Sequence, residues 1–299
     1  MTESPISAHE PRLPLERWGR RLLAALQARA DRTRVGRWAF EFLMFGLKQG
    51  WACVFGALML GLLFATRFVW PEQAPIARYD FLVIAAVTIQ AAMLLLKLES
   101  WEEARVIFVF HVVGTIMELF KTSAGSWIYP EPGLLKIGAV PLFSGFMYAA
   151  VGSYIARIWR IFDIRFTNYP PVWTTVVLAA AIYVNFFSHH WLPDVRWALF
   201  GATALMFWRG RFHFTPDRKT RWMPILLGLF LVALFIWIAE NVGTYSHAWL
   251  YPGQEGGWRL VSLAKLGSWY LLMFISVVLV SLVHRPQAYE PEPELQPAQ

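Results

Sequence analysis

Two glutamates stand where an acid is costly. Glu118 lies near the end of the apolar run "VIFVFHVVGTIMELF", and Glu240 near the end of "MPILLGLFLVALFIWIAENVG". An ionisable side chain in a membrane-spanning segment costs roughly 2.5 kcal/mol or more at the bilayer centre, so it reads as functional by default. Each glutamate has a threonine one turn on and on the same face, Thr122 and Thr244. Each is then followed by a Trp-x-Tyr-Pro tail, Trp127, Tyr129 and Pro130 in one copy and Trp249, Tyr251 and Pro252 in the other. Laying Glu118 on Glu240 brings all of these residues into register, and Trp51 then falls on Trp173. A lysine opens the next apolar run in both copies, Lys136 in "LKIG" and, after a longer loop, Lys265 in "AKLG".

One acid and one base per half is the equipment of general acid–base chemistry. If the halves pack face to face, Glu118, Glu240, Lys136 and Lys265 form the catalytic set. His111, on the same face as Glu118 but deeper, joins Thr122, Trp127, Tyr129, Thr244, Trp249 and Tyr251 as candidates for binding a substrate. Asn185 and His189, which end the run "VNFFSHH", complete that set. A plainer reading uses the same groups as structural ion pairs, Glu118 with Lys121 or Lys136 and Glu240 with Lys265, pinning helix register and nothing more.

Other chemistries find little support. The single cysteine, Cys53, excludes an intrachain disulfide and any CxxC site. The seven histidines fall in no HxxxH or HExxH pattern, so no metal is expected, and no motif points to a cofactor. Phosphate-binding, dinucleotide-binding and GxSxG motifs are absent. A net charge of +7 could suit nucleic acid, but no such motif accompanies it, and in a chain this apolar it marks basic cytoplasmic loops.

The elements that must position these residues follow from composition. The chain has 299 residues, 57% hydrophobic and only 16% charged, against about 25% charged in soluble domains. The pattern predicts an all-α polytopic membrane protein with about eight transmembrane helices near 46–68, 80–97, 105–123, 135–158, 171–188, 195–209, 223–243 and 260–283. Pro141 would kink the fourth, whose Gly145 and Gly152 suit close helix packing. The doublet of motifs predicts two parallel four-helix repeats, about 46–160 and 168–284, within a membrane domain of 38–284. Residues 1–37 are expected to form a basic segment with an amphipathic face (Leu15, Trp18, Leu22, Leu23, Leu26), and the Pro-rich tail 285–299 is expected to be disordered. Lys and Arg fall mostly in alternate loops, as in Arg157, Arg160 and Arg165 and again in Arg209, Arg211, Arg218 and Arg221. That bias predicts an inner-membrane protein with both termini cytoplasmic and both Trp-x-Tyr-Pro tails at the outer interface.

Through "HVVGTIMELFKTSAGSWIYPEPGLLKIGAVPLFSGFMYAAVGSYIARIWR", "NFFSHH" and "IAENVGTYSHAWLYPGQ", the chain resembles a bacterial integral-membrane family catalogued as domain of unknown function 817. The resemblance implies a multi-spanning membrane protein and brings no activity. The segment around Glu118 also resembles membrane carotenoid hydratases and cyclases, which place a Glu near a helix end, then an aromatic-Tyr turn and a helix with Val-Pro, here Val140 and Pro141. That likeness implies that Glu118 protonates a polyene double bond and that Glu240 stabilises the cation or takes back a proton. The expected partners are the lipid bilayer and a hydrophobic small molecule, with no nucleic acid. The expected function is acid–base chemistry on an isoprenoid-like substrate, against the alternatives of proton-coupled or small-molecule transport and of a non-catalytic structural role.

Overall fold

Long apolar runs must satisfy their own backbone, and helices do so without water. The computed structural model describes residues 14–71 and 73–291. Among them are ten helices: α1 (Pro14–Ala30), α2 (Arg34–Ala52), α3 (Val54–Val69), α4 (Arg78–Leu95), α5 (Trp101–Ser123), α6 (Phe143–Ile161), α7 (Val172–Ser188), α8 (Arg196–Phe207), α9 (Ile225–Tyr245) and α10 (Leu263–Val283). Most of the expected N-terminal amphipathic face belongs to α1, whose side chains before Arg21, like residues 1–13 and 292–299, lie outside the described residues.

Four helices, α4, α5, α9 and α10, are long and apolar enough to cross a membrane, and α2 with α3 makes a fifth if that pair is one span. The pair is bent by 65° at Cys53, where a single helix near 46–68 was expected. α7 and α8, at 17 and 12 residues, are shorter than the roughly 20 residues a straight span needs.

The protein is mostly helical rather than all-α. Strands β1 (Lys136–Ile137) and β2 (Val140–Pro141) form a hairpin, and β3 (Arg165–Thr167), β4 (Arg211–Phe214) and β5 (Arg221–Pro224) form an antiparallel sheet in the order β3-β4-β5. Pro141 therefore sits in β2, ahead of α6, and does not kink that helix. The hairpin is tied down by Asp80, which accepts the amides of Leu134 and Leu135 at 2.9 and 2.7 Å. Part of the expected disordered tail is paired: Phe166 N–H donates to the Gln287 carbonyl, Tyr289 N–H donates to Phe166, and the Tyr289 ring stacks on His213 at 3.8 Å. The sheet sets basic residues against α2, where Arg221 chelates Glu41 with two 2.6 Å bonds and Lys48 donates to the Thr215 carbonyl.

α5 starts on a capping box, with Ser100 accepting the Glu103 amide and Glu103 accepting the Ser100 amide. It packs on α6 closely because Gly114, Gly145 and Gly152 leave room for neighbouring side chains. A Cβ at Gly114 would lie 2.5 Å from the Tyr148 ring, and one at Gly152 would lie 2.7 Å from Phe110. At the far end of this pair, Arg157 and Glu99 form a 2.6 Å ion pair with both side chains fully buried. Ser153 donates to the same Glu99 oxygen, and Arg157 also takes the Trp51 carbonyl beside the α2–α3 break.

Removing one member of a buried pair strands the other charge, at a cost of about 3–5 kcal/mol. Arg157→Met should therefore lower the thermal unfolding midpoint in detergent sharply. The double variant Arg157→Met, Glu99→Gln should recover part of that loss.

Candidate functional site

The site is built by two helix ends that stop in the same way. After α5, Gly125 adopts φ +68°, Ser126 N–H donates to the Lys121 carbonyl and Gly125 N–H to that of Thr122. After α9, His247 adopts φ +54°, Ala248 N–H donates to Gly243 and His247 N–H to Thr244. Each residue in the second set is the one its counterpart reaches when Glu118 is laid on Glu240. Both are Schellman closures, which turn the chain back across the helix end. The glycine needed for a left-handed residue is present in one copy, and a histidine accepts the strain in the other.

The two Trp-x-Tyr-Pro tails then meet. Ile128 N–H donates to the Leu250 carbonyl at 3.0 Å, and Leu250 N–H donates back to the Ile128 carbonyl at 2.9 Å. Matching residues thus bond each other reciprocally in an antiparallel bridge. The tails' tyrosines return to their own acids. Glu118 accepts from Trp127 Nε1 at 2.7 Å, Tyr129 Oη at 2.6 Å and, from α6, Tyr148 Oη at 2.8 Å. Glu240 accepts from Tyr251 Oη and, from α10, Trp269 Nε1.

Both carboxyl groups face one chamber of about 700 Å³. Its walls are mainly apolar side chains of α2, α3, α6, α9 and α10, and it runs from Trp127, Tyr251 and Lys265 at one end to Phe45, Phe162 and Phe214 beside the sheet. Glu118 and Glu240 are 4% and 5% exposed, yet no lysine or arginine forms an ion pair with either among the described residues. No pair within 4.0 Å matches the ion-pair reading among the described residues, although Lys265 lines the same chamber as Glu240. Their donors are all neutral.

Of the other expected site residues, Trp127, Tyr129, His189, Trp249, Tyr251 and Lys265 line the chamber with the glutamates. Lys265 places its ammonium 4.0 Å from the Tyr251 ring centre and 4.9 Å from that of Trp127. Lys136 is elsewhere, over Tyr79 and bonded to the Glu131 carbonyl. His111 packs on Phe146 outside the lining. Thr122 and Thr244 bond backbone carbonyls of their own helices, because a threonine in a helix readily bonds back one turn. Asn185 staples the α7–α8 connection, donating to Asp194 and accepting the Val195 amide.

The structure adds Tyr148 and Trp269, which complete the donors to the two acids. A faint signal lay in the sequence, since each is an aromatic with a polar tip in the helix that follows its glutamate. It also adds Lys121 and Arg196 to the chamber wall. Gly243 occupies the second-half position matching Lys121, and the Trp249 ring fills the space above it: a Cβ there would lie 2.2 Å from that ring. Gly243→Ala should displace the ring and destabilise the fold by about 1–3 kcal/mol. The control Gly46→Ala, which meets nothing within 4 Å, should leave the unfolding midpoint in detergent unchanged or raise it.

Comparison with known proteins places this architecture in a family. The sequence profile of a family described as "Protein of unknown function (DUF817)" matches residues 41–277. The uncharacterized protein YoaT of Bacillus subtilis (strain 168) is 40% identical over 251 residues, covering 84% of this chain and 94% of that protein. No solved structure matches. The chain belongs to the DUF817 family.

Proposed function

We propose that the protein is an inner-membrane enzyme that takes a lipid-soluble, isoprenoid-like molecule into its chamber and moves a proton on it with Glu118 and Glu240. One observation carries this reading: two buried acids, held by neutral donors and without an ion pair among the described residues, converge on a single apolar chamber large enough for such a molecule. Ligand sites typically span about 300–1,000 Å³, mostly apolar with a few placed polar groups.

In the reaction Glu118 delivers its proton to one carbon of a double bond. The rings of Tyr129, Tyr148, Trp249 and Trp269 line the chamber around the cationic carbon this leaves, an attraction available to any cation over an aromatic face. Glu240 then removes a proton from a neighbouring carbon. The product is an isomer or a ring, and no co-reactant is consumed.

In this reading the chain crosses the bilayer eight times, α3 to α6 and α7 to α10 being two copies of one four-helix unit. The reciprocal Ile128–Leu250 bridge, lying between matching residues, supports a two-fold pseudo-axis at that point. The packing of α3 and α4 on α6, repeated by α7 and α8 on α10, supports it further. Both termini are cytoplasmic and the carboxyl end of the chamber lies in the outer half of the bilayer. The basic residues around β4 and β5 and the aromatic tails lie at opposite ends of the chamber, in keeping with that orientation.

The length of the chamber, from Lys265 to Phe45, also favours a second reading, proton-coupled transport. Comparing extracted lipids and pigments of a strain lacking the protein with those of strains carrying wild type, Glu118→Gln or Glu240→Gln separates the two. The enzyme reading expects one compound to accumulate and its isomer to vanish in the deletion and in both variants, with the protein inserted normally. Unchanged composition, with pH-dependent flux in proteoliposomes, supports transport instead.

A further inference from the structure

The acid end of the chamber also holds two lysines that make no ion pair among the described residues. Lys121, Ser126, His189, Arg196, Ser262 and Lys265 line it together. Arg196 is matched by Asp194 at 3.2 Å. Lys121 is only 3% exposed, and its ammonium has one polar neighbour, His190 Nε2 at 3.1 Å, with the Phe186 ring 4.1 Å below. Lys265 makes no side-chain hydrogen bond among the described residues and rests on the Trp127 and Tyr251 rings. An ammonium carries three N–H donors, so most of the donors on these two lysines lack acceptors. The glutamates supply none, since neither lysine comes within 4.0 Å of a carboxyl oxygen of Glu118 or Glu240 among the described residues.

We infer that the chamber binds a single-chain lipid with an anionic headgroup, phosphate or a similar oxyanion, which Lys121 and Lys265 hold while the apolar tail runs toward Phe45 and Phe214. Donor counting decides the sign of the head. A cationic head would set a further positive charge beside the two ammonium groups, and the lysines already lie over the rings of Trp127, Tyr251 and Phe186. An oxyanion offers the acceptors that the ammonium groups lack, and hydrogen bonds between charged groups are the strong ones. A neutral lipid offers them no opposite charge. Arg196 and the hydroxyls of Ser126 and Ser262 can add further donors at the same end. This inference rests on the reading of the chamber as a lipid site and adds the class of lipid. It places the reacting double bond beside the headgroup, within reach of the glutamates.

The test is direct binding to the full chain in nonionic detergent, with hexadecyl phosphate, hexadecanol, hexadecyltrimethylammonium and inorganic phosphate as probes. Hexadecyl phosphate should bind at least about tenfold tighter than hexadecanol, a 1.4 kcal/mol preference. Lys121→Gln and Lys265→Gln should each remove most of that preference while leaving hexadecanol binding unchanged, which also shows that the variants are folded. Lys265→Arg, which keeps the charge, should retain the preference. Equal binding of phosphate and alcohol, or tighter binding of the ammonium lipid, overturns the inference. Full competition by inorganic phosphate would show a site for the free anion and overturns it too. Glu118→Gln should leave hexadecyl phosphate binding intact. If it does so and the cell's lipids are also unaltered, the catalytic reading fails and this one stands.

Discussion

Two hydrogen bonds between Ile128 and Leu250 govern the geometry of the site. A backbone N–H or C=O left unpaired away from water is costly, and irregular chain is tolerated only where something satisfies it. Here each Trp-x-Tyr-Pro tail satisfies the other. Because the bonded residues occupy matching places in the two motifs, the contact fixes both tails at once. It aims Tyr129 at Glu118 and Tyr251 at Glu240 from the two sides of the bridge. The acids owe their shared chamber to this contact more than to the direct packing of α5 and α9.

Within that frame the two motifs differ. In the first half Trp127 donates to the acid and Lys121 stands on the helix below. In the second half the matching tryptophan, Trp249, lies down on Gly243 instead, and Trp269 from α10 supplies the indole donor to Glu240. The two acids therefore have the same kinds of donors arranged differently, three on Glu118 and two on Glu240. Equal carboxyls in unequal surroundings are what an acid and a base in one site require. The lysines diverge likewise: Lys265 enters the chamber, whereas Lys136 follows the β1–β2 hairpin to Glu131.

Legibility in the sequence followed how local each determinant was. Glu118 and Glu240 stood out because one charged residue in an apolar run is costly wherever the chain goes. The tails stood out because their spacing recurs. The placing of Lys136 was not legible, since it depends on Asp80, far back in the chain, anchoring the amides of Leu134 and Leu135 and so forming a hairpin where a continuous helix was expected. Thr122 and Thr244 shared a face with their glutamates, but their hydroxyls found nearer acceptors in their own helices. The sheet escaped notice because β3, β4 and β5 are three or four residues each and come from distant segments. The bend at Cys53 escaped it because the buried Arg157 that takes the Trp51 carbonyl comes from a helix much later in the sequence.

The most direct measurement is a disulfide across the bridge. In a hydrogen-bonded antiparallel pair the Cα atoms lie about 5.5 Å apart, within the range a disulfide spans. With Cys53, the chain's single cysteine, replaced by serine, the double substitution Ile128→Cys, Leu250→Cys should form an intramolecular crosslink on mild oxidation in native membranes, detected by peptide mass mapping. The control pair Ile137→Cys, Leu250→Cys should not. Absence of the 128–250 crosslink, or equal crosslinking of the control, would contradict the claim that the two tails join to hold both acids around one chamber.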